Sequence, residues 1–471
     1  MASGAMHGTF GITFFFFVRN STIAEAACGD RRRRLVMSAH CSRLPYAMND
    51  VAKKATPPDS PGWDVVDLLG EIADIGRDSD RGGYSRHVFE PAELALREWF
   101  TGRAEALGLD VELDRNGNIW AHWGARGSGT IALGSHLDSV PGGGAFDGPL
   151  GVASALSVVA RLRAQGVVPA RPVAVVAFAE EEGSRFGVAC LGSKLMAGAI
   201  DPAKAVKLTD AAGVTFAEAA AAAGLDPGGL GRDGERLASL AAFVELHVEQ
   251  GRGLADMGAP VAVAASILAH GRWRLRFSGE GNHAGATAMR DRRDPVVAAA
   301  AAVLAARDIA ARHDDPSHGT HGRATVGRLI PVPGGINVIA SRVDAWLDVR
   351  GDSDASTQAL LAEIIDAIRD RAASYGCHVE VAEESYSGPV AFDADLRTRL
   401  ASTLGGPPLL ATGAGHDAGV LADILPTAML FVRNPTGVSH SPLETASDDD
   451  CRAGVDALAT VLRELLGQRT R

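Results

Sequence analysis

The sequence predicts an α/β fold in which a mixed, largely parallel sheet is interrupted by an inserted α+β domain. Short apolar runs, such as 131–133 and 173–178, end in polar clusters and alternate with helix-like segments such as 152–162. Buried strands alternating with helices form parallel sheets covered on both faces. From about 264 to 380 the texture changes: alternation at 273–277, an Ala-rich helix at 296–311, strands near 324–326 and 342–349, and a helix near 357–373. That order suits an antiparallel sheet with helices on one face.

Length supports the division, because 471 residues exceed one ordinary core. The expected organisation is a disordered extension over 1–50, a catalytic domain over 51–263 and 381–471, and the inserted domain over 264–380. With 46% hydrophobic and 22% charged residues the chain reads as globular, and a formal net charge of -11 disfavours nucleic acid. The five cysteines show no CxxC spacing, so neither a disulfide framework nor a thiolate zinc site is indicated. A reducing cytoplasm is the expected setting. The apolar stretch 9–18, with four consecutive Phe, is too short to span a bilayer, and the Arg run 31–34 follows it where a secretory signal would have basic residues first. Residues up to Met48 read as an extension, or as sequence upstream of a later start at Met37 or Met48.

The ordered chain is expected to begin near Trp63, with helix-like spacing of Val65, Leu68, Leu69, Ile72 and Ile75. The segment 211–231, rich in Ala and Gly, reads as a helix with a glycine-rich turn. After 386 apolar strand runs return at 428–432, and an amphipathic helix closes the chain at 451–466.

Chemistry-bearing residues cluster behind these runs. In Gly-Ser-His136-Leu-Asp138-Ser a carboxylate is placed to hold an imidazole whose other nitrogen faces a metal; a surface hydrogen-bonded pair is the alternative. Asp147 stands among glycines before a helix, where close backbone approach suits a bridging carboxylate, although a helix N-cap has the same look. Glu180, Glu181 and Glu182 follow the strongest strand, and adjacent buried carboxylates require compensating cations. In Glu245-Leu-His247-Val-Glu249-Gln250 the acidic residues and His247 share one strand face, and His440 follows another apolar run. Each histidine alone reads as structural. Three histidines and several carboxylates at strand ends form the nitrogen-plus-oxygen set that suits zinc, manganese or cobalt.

This ordered string of motifs resembles the amidase/hydantoinase-carbamoylase branch of the dinuclear metallopeptidases, over nearly all of 63–466. The resemblance implies a phosphorylase/hydrolase-like catalytic domain and a ferredoxin-like lid that also dimerises. It implies two divalent ions per subunit, Zn or Mn, with Co or Ni as alternatives. His136, Asp147 and His247 would hold one ion and Asp147, Glu182 and His440 the other, with Asp147 as bridge. Glu181 would be the general base for the attacking water and Asp138 the residue that orients His136. His283, in Gly-Asn-His283-Ala-Gly, would stabilise the oxyanion from across a homodimer and contact substrate, although Ala286-Thr287-Ala288-Met289 departs from the family's usual Thr-Thr-Pro-Met. Gln250, Asn337, Arg350 and Gly415 would complete the substrate pocket. Arg350 would offer its fork to a carboxylate, unless a salt bridge to Asp348 or Asp352 consumes it. The substrate implied is a small ureido carboxylate, with neither nucleic acid nor membrane as partner. Allantoate amidohydrolase is the leading expectation, drawn from the run Arg433-Asn-Pro-Thr-Gly-Val-Ser-His440, with N-carbamoyl-L-amino acid hydrolase as alternative. A metallo-aminopeptidase or acylase, and a binding protein that has lost its chemistry, are the remaining readings.

Overall fold

A computed structural model describes residues 62–315 and 320–467, so the expectations for 1–50 lie outside the described residues. The strands in chain order are β1 (Asp110–Leu113), β2 (Ile119–Trp123), β3 (Thr130–His136), β4 (Val173–Phe178), β5 (Leu240–Val248) and β6 (Val261–Ile267). They continue as β7 (Ala269–Ser278), β8 (Asn282–His283), β9 (Arg323–Val332), β10 (Val338–Ile339), β11 (Arg342–Gly351) and β12 (His378–Ser387). The last three are β13 (Val390–Ala391), β14 (Leu409–Thr412) and β15 (Thr427–Val432).

The large sheet runs β1-β2-β4-β3-β5-β15-β6-β13, with β14 paired to β6. Its centre is parallel, β4 and β5 flanking β3 and β15 following β5, while antiparallel pairs close both edges. Every residue of β3, β4 and β15 is buried, which explains why these segments read as unbroken apolar runs. On one face, helices Pro149–Ala164 and Asp448–Leu465 lay Leu156, Val159, Leu458 and Leu462 against Leu133, Val175 and Leu430. Truncating a fully buried leucine such as Leu156 to Ala costs about 2–5 kcal/mol. The opposite face is aromatic, with Trp120, Phe178, Phe243 and Phe431 in contact with Leu421 and Met196. The closing helix starts sharply, because the Ser447 hydroxyl accepts the Asp450 N–H at 3.1 Å and three aspartates complement the helix dipole.

The second sheet, β12-β7-β11-β9, is antiparallel throughout. Alternation in β7 sends Trp273, Leu275 and Phe277 inward, where helices Pro295–His313 and Asp354–Ser374 cover them with Ala302, Ile364 and Ile368. This sheet begins at Ala269 and ends at Ser387, a few residues beyond each expected boundary. β6 stays in the large sheet as far as Ile267 because β13, β14 and β15 pair with it. The segment 211–231 carries a short helix, Phe216–Ala222, opened by a capping box between Thr215 and Glu218. No helix among the described residues is long and apolar enough to cross a membrane.

Candidate metal centre

The carboxyl ends of β3, β4, β5 and β15 meet at one point, and five of the sequence-predicted residues are there. His136 is the last residue of β3 and fully buried; His247 lies one residue from the end of β5, 1% exposed. Their Nδ1 atoms face backbone carbonyls, His136 at 3.1 Å from Asp138 O and His247 at 2.9 Å from Val248 O. A ring that donates from Nδ1 presents a bare lone pair at Nε2. Both Nε2 atoms point at the same oxygen, Asp147 Oδ1, from 3.5 Å and 3.2 Å. Neither has a hydrogen-bond partner among the described residues.

The second oxygen of Asp147 faces another set. His440 Nε2 stands 3.4 Å from Asp147 Oδ2 and 3.3 Å from Glu182 Oε2. Two ligand groups, His136–Asp147–His247 and Asp147–Glu182–His440, therefore share one carboxylate, with ligand atoms in each group within 4.8 Å of one another. Lone pairs aimed at carboxylate oxygens repel unless a positive charge lies between them. Burial, reinforced by the charge of Asp147, pushes the Glu182 carboxyl up to about 8. Burial also raises Glu181 well above its usual range. Burial opposes a charge on His136, yet Glu181, Asp138 and Asp147 together raise it well above the ordinary value. This donor set fits divalent cations that take nitrogen and oxygen ligands.

The three adjacent glutamates separate in their roles because the chain turns sharply at Glu180, whose φ of 53° is left-handed. Glu180 turns away and accepts the Phe186 and Arg185 N–H groups at 2.7 and 3.1 Å. Glu181 directs Oε2 to 3.6 Å from His136 Nε2 and receives the Cys190 thiol on Oε1 at 3.3 Å. Asp138 binds the turn from below, accepting the Glu181 and Glu182 N–H groups at 3.2 and 3.1 Å, with its carboxylate 3.5 Å from His136 Nδ1. His440 is also left-handed, φ 54°. Strained backbone of this kind persists where surrounding contacts over-determine it. Gly148 is required on steric grounds: at φ +85° a Cβ there would stand 2.4 Å from the His136 ring.

The predicted substrate residues are more dispersed. Gln250 turns inward, donating to Asp147 Oδ2 at 2.8 Å and to Ser439 Oγ at 3.2 Å. Arg350 is held by the Asp348 carboxylate, Nε at 2.8 Å and Nη2 at 3.3 Å, and its Nη1 donates to the Gly413 carbonyl. The salt-bridge alternative is thus the arrangement observed, with Asp348 as partner; Asp352 instead meets His321 at 2.7 Å. His283 is exposed on β8, pairs with Val338, and accepts the Gly285 and Ala286 N–H groups on Nδ1. Asn337 is exposed in the turn before β10, the strand paired with β8, and its carbonyl accepts the Ala284 N–H. Among the described residues neither is hydrogen-bonded to the centre. Gly415 lies in the half-buried loop after β14, one residue before His416.

One contributor, Glu444, escaped the sequence reading. Glu444 accepts the N–H groups of Phe146 and Asp147 and receives Ser439 Oγ at 3.2 Å. Burial and the neighbouring Asp147 charge push its carboxyl up to about 7. Its place four residues after His440 was the only sequence signal. Glu245, a strand neighbour of His247, accepts Ser135 Oγ at 2.7 Å and Ala418 N at 3.0 Å, and so ties β3 to the short helix Asp417–Leu421 beyond β14. His416 packs edge-on against His247 with ring centroids 4.5 Å apart.

Residues 132–464 match the profile of peptidase family M20/M25/M40. An N-carbamoyl-L-amino acid amidohydrolase of Geobacillus stearothermophilus is 39% identical over 83% of this chain and 95% of its own length. The allantoate amidohydrolase of Escherichia coli strain K12 is 31% identical over 86% of this chain and 98% of its own. A crystal structure of a hydantoinase/carbamoylase-family amidase from Burkholderia multivorans superposes with a TM-score of 0.75 at 31% identity, covering 87% of this chain and 98% of that one.

Proposed function

The chain belongs to peptidase family M20/M25/M40, in its hydantoinase/carbamoylase branch of metal-dependent amidohydrolases, and from that premise we propose that it hydrolyses the ureido C–N bond of N-carbamoyl-L-amino acids. The carrying observation is the shared carboxylate: each oxygen of Asp147 faces a different histidine group, with Glu181 beside them. His136 and His247 would hold one divalent ion and Glu182 and His440 another, with Asp147 offering an oxygen to each group. Such ions supply Lewis-acid polarisation of the scissile carbonyl and make water acidic enough to be deprotonated near neutral pH.

The protein's own groups do the rest. Glu181 takes a proton from the attacking water and returns it to the departing nitrogen, its carboxylate held in place by the Cys190 thiol. Asp138 keeps the Glu181–Glu182 turn and the His136 ring in register. Arg350 from the inserted sheet and Asn337 from the turn before β10 receive the α-carboxylate when that domain closes on the centre, and Gln250 and Gly415 line the pocket. The inserted segment is a lid and a dimerisation domain, and His283 reaches the oxyanion in the partner subunit's site.

Allantoate is the second reading, which the run 433–440 suggested. Here that run is a self-contained turn: Asn434 is fully buried, accepts the Thr436 and Gly437 N–H groups at 3.1 and 3.0 Å, and donates to Val438 O at 2.8 Å. It delivers Ser439 and His440 to the centre. Relatives with the N-carbamoyl activity are also the more similar in sequence. The test is ammonia release, with added manganese, from N-carbamoyl-L-amino acids, allantoate and dipeptides. Turnover of dipeptides alone would defeat the reading.

A further inference from the structure

Beside the metal centre a cavity of about 240 Å³ opens between the two sheets. Gln250, which donates to Asp147, forms its inner wall; Leu268, Leu410 and Phe431 form an apolar side; Arg323 stands at the edge of the inserted sheet. The charges on this wall are accounted for, with one exception. Glu249 accepts the N–H groups of Gly253 and Leu254 at 2.6 and 2.9 Å. Asp256 pairs with Arg252 at 3.5 Å, and His321 with Asp352 at 2.7 Å. Arg323 alone among the described wall residues is a cation with neither ion pair nor hydrogen bond.

Its position is also unusual. Arg323 lies directly opposite Arg350 in the β9–β11 ladder. Both side chains reach Gly413: Arg350 donates to its carbonyl, and Arg323 Nη1 is 3.1 Å from where a Cβ of that glycine would stand. Like charges directly opposite on a sheet are unfavourable unless counter-charges intervene. Asp348 serves Arg350, whereas the exposed Arg323 has no counter-charge among the described residues.

We propose that Arg323 binds a carboxylate on the variable side chain of the substrate, so that this enzyme prefers N-carbamoyl derivatives of dicarboxylic amino acids. The proposal rests on the ureido-hydrolase reading above. The guanidinium fork matches a carboxylate in two parallel hydrogen bonds, and the apolar side of the cavity accommodates the methylenes between the two acids.

The test compares N-carbamoyl-L-glutamate with N-carbamoyl-L-glutamine, nearly equal in size and different in charge, for wild type and Arg323→Gln. Wild type should favour the glutamate by about tenfold or more in kcat/KM, the scale of a charge-assisted hydrogen bond. Arg323→Gln should bring that ratio close to unity, mainly through KM, and Arg323→Lys should retain part of it. A wild-type ratio near one, or a ratio unmoved in Arg323→Gln, overturns the proposal. If Arg323 bound the α-carboxylate instead, both substrates would suffer alike and the ratio would again stay put. Ammonia release from N-carbamoyl-L-alanine separates the two failures: with it, only this inference falls; without it, on any carbamoyl compound, the parent reading falls too.

Discussion

Glu444 Oε1 accepts the N–H groups of both Phe146 and Asp147 at 3.0 Å, so a carboxylate 297 positions downstream fixes the backbone of the bridging residue. Gly144 permits this approach, since a Cβ there would stand 2.1 Å from the same oxygen.

Glu444→Ala should therefore weaken metal binding by about 10–100-fold, the usual cost of removing a group that orients a ligand. Glu444→Gln keeps an acceptor and should lose less. Competition with a chelating dye checks this; wild-type affinity in Glu444→Ala would show that Asp147 holds its place unaided.

Gly148→Ala should be far more damaging than its size suggests. The residue sits at φ +85°, unfavourable for an L side chain, and the new methyl would collide with the His136 ring. We expect a loss of several kcal/mol or insoluble protein, read by thermal melting and soluble yield. A variant within about 0.5 kcal/mol of wild type would mean the loop relaxes freely.

The metal-ligand candidates were legible because each follows an apolar strand, and such strands bring their carboxyl ends to one place. The β4 run and the glutamates behind it could be read together because both belong to a continuous segment. Glu444 could not, since its effect on Asp147 depends on how β15 and the loop after it return to β3. A salt bridge from Arg350 was legible with Asp348 and Asp352 equally placed, two residues to either side, and the structure selects Asp348. Arg323 gave no signal, because its relation to Arg350 arises only from the register of β9 on β11. His283 sits on a two-residue strand and Asn337 in the turn before another, too short to leave a periodic pattern.

Glu181→Gln should abolish turnover while metal content stays at the wild-type level. Glu181 contributes to neither ligand group around Asp147, and its backbone N–H to Asp138 survives the change. Elemental analysis of the purified variant beside a single-turnover assay decides the matter. Loss of metal would mean that Glu181 and Glu182 have exchanged roles.

Arg350→Ala should raise KM for carboxylate substrates about tenfold or more, and Arg350→Lys nearly as much, because an ammonium cannot reproduce the fork. To bind substrate, Arg350 must release the Gly413 carbonyl or share Asp348. Asp348→Asn should thus weaken substrate binding by loosening the arginine. Unchanged KM in Arg350→Ala would leave it a strut between the inserted sheet and the Gly413 loop.

Metal removal should destabilise the fold as well as silence it. Without cations only protons on the buried His136 and His247 can offset Asp147, which places charged imidazoles against the cost of burial, and Glu181, Glu182 and Asp147 crowd one another. A ligand at one hundred times its dissociation constant adds about 2.7 kcal/mol per site, enough for a clear rise in melting temperature with manganese. The two groups should separate by mutation. His440 is half-exposed and belongs to one group, so His440→Ala should retain one ion between His136, Asp147 and His247. Asp147→Asn removes charge from both groups at once and should abolish the manganese-dependent shift. If that variant still bound two ions, the carboxylate would not be the bridge, and the two groups would have to be assigned separate ligands.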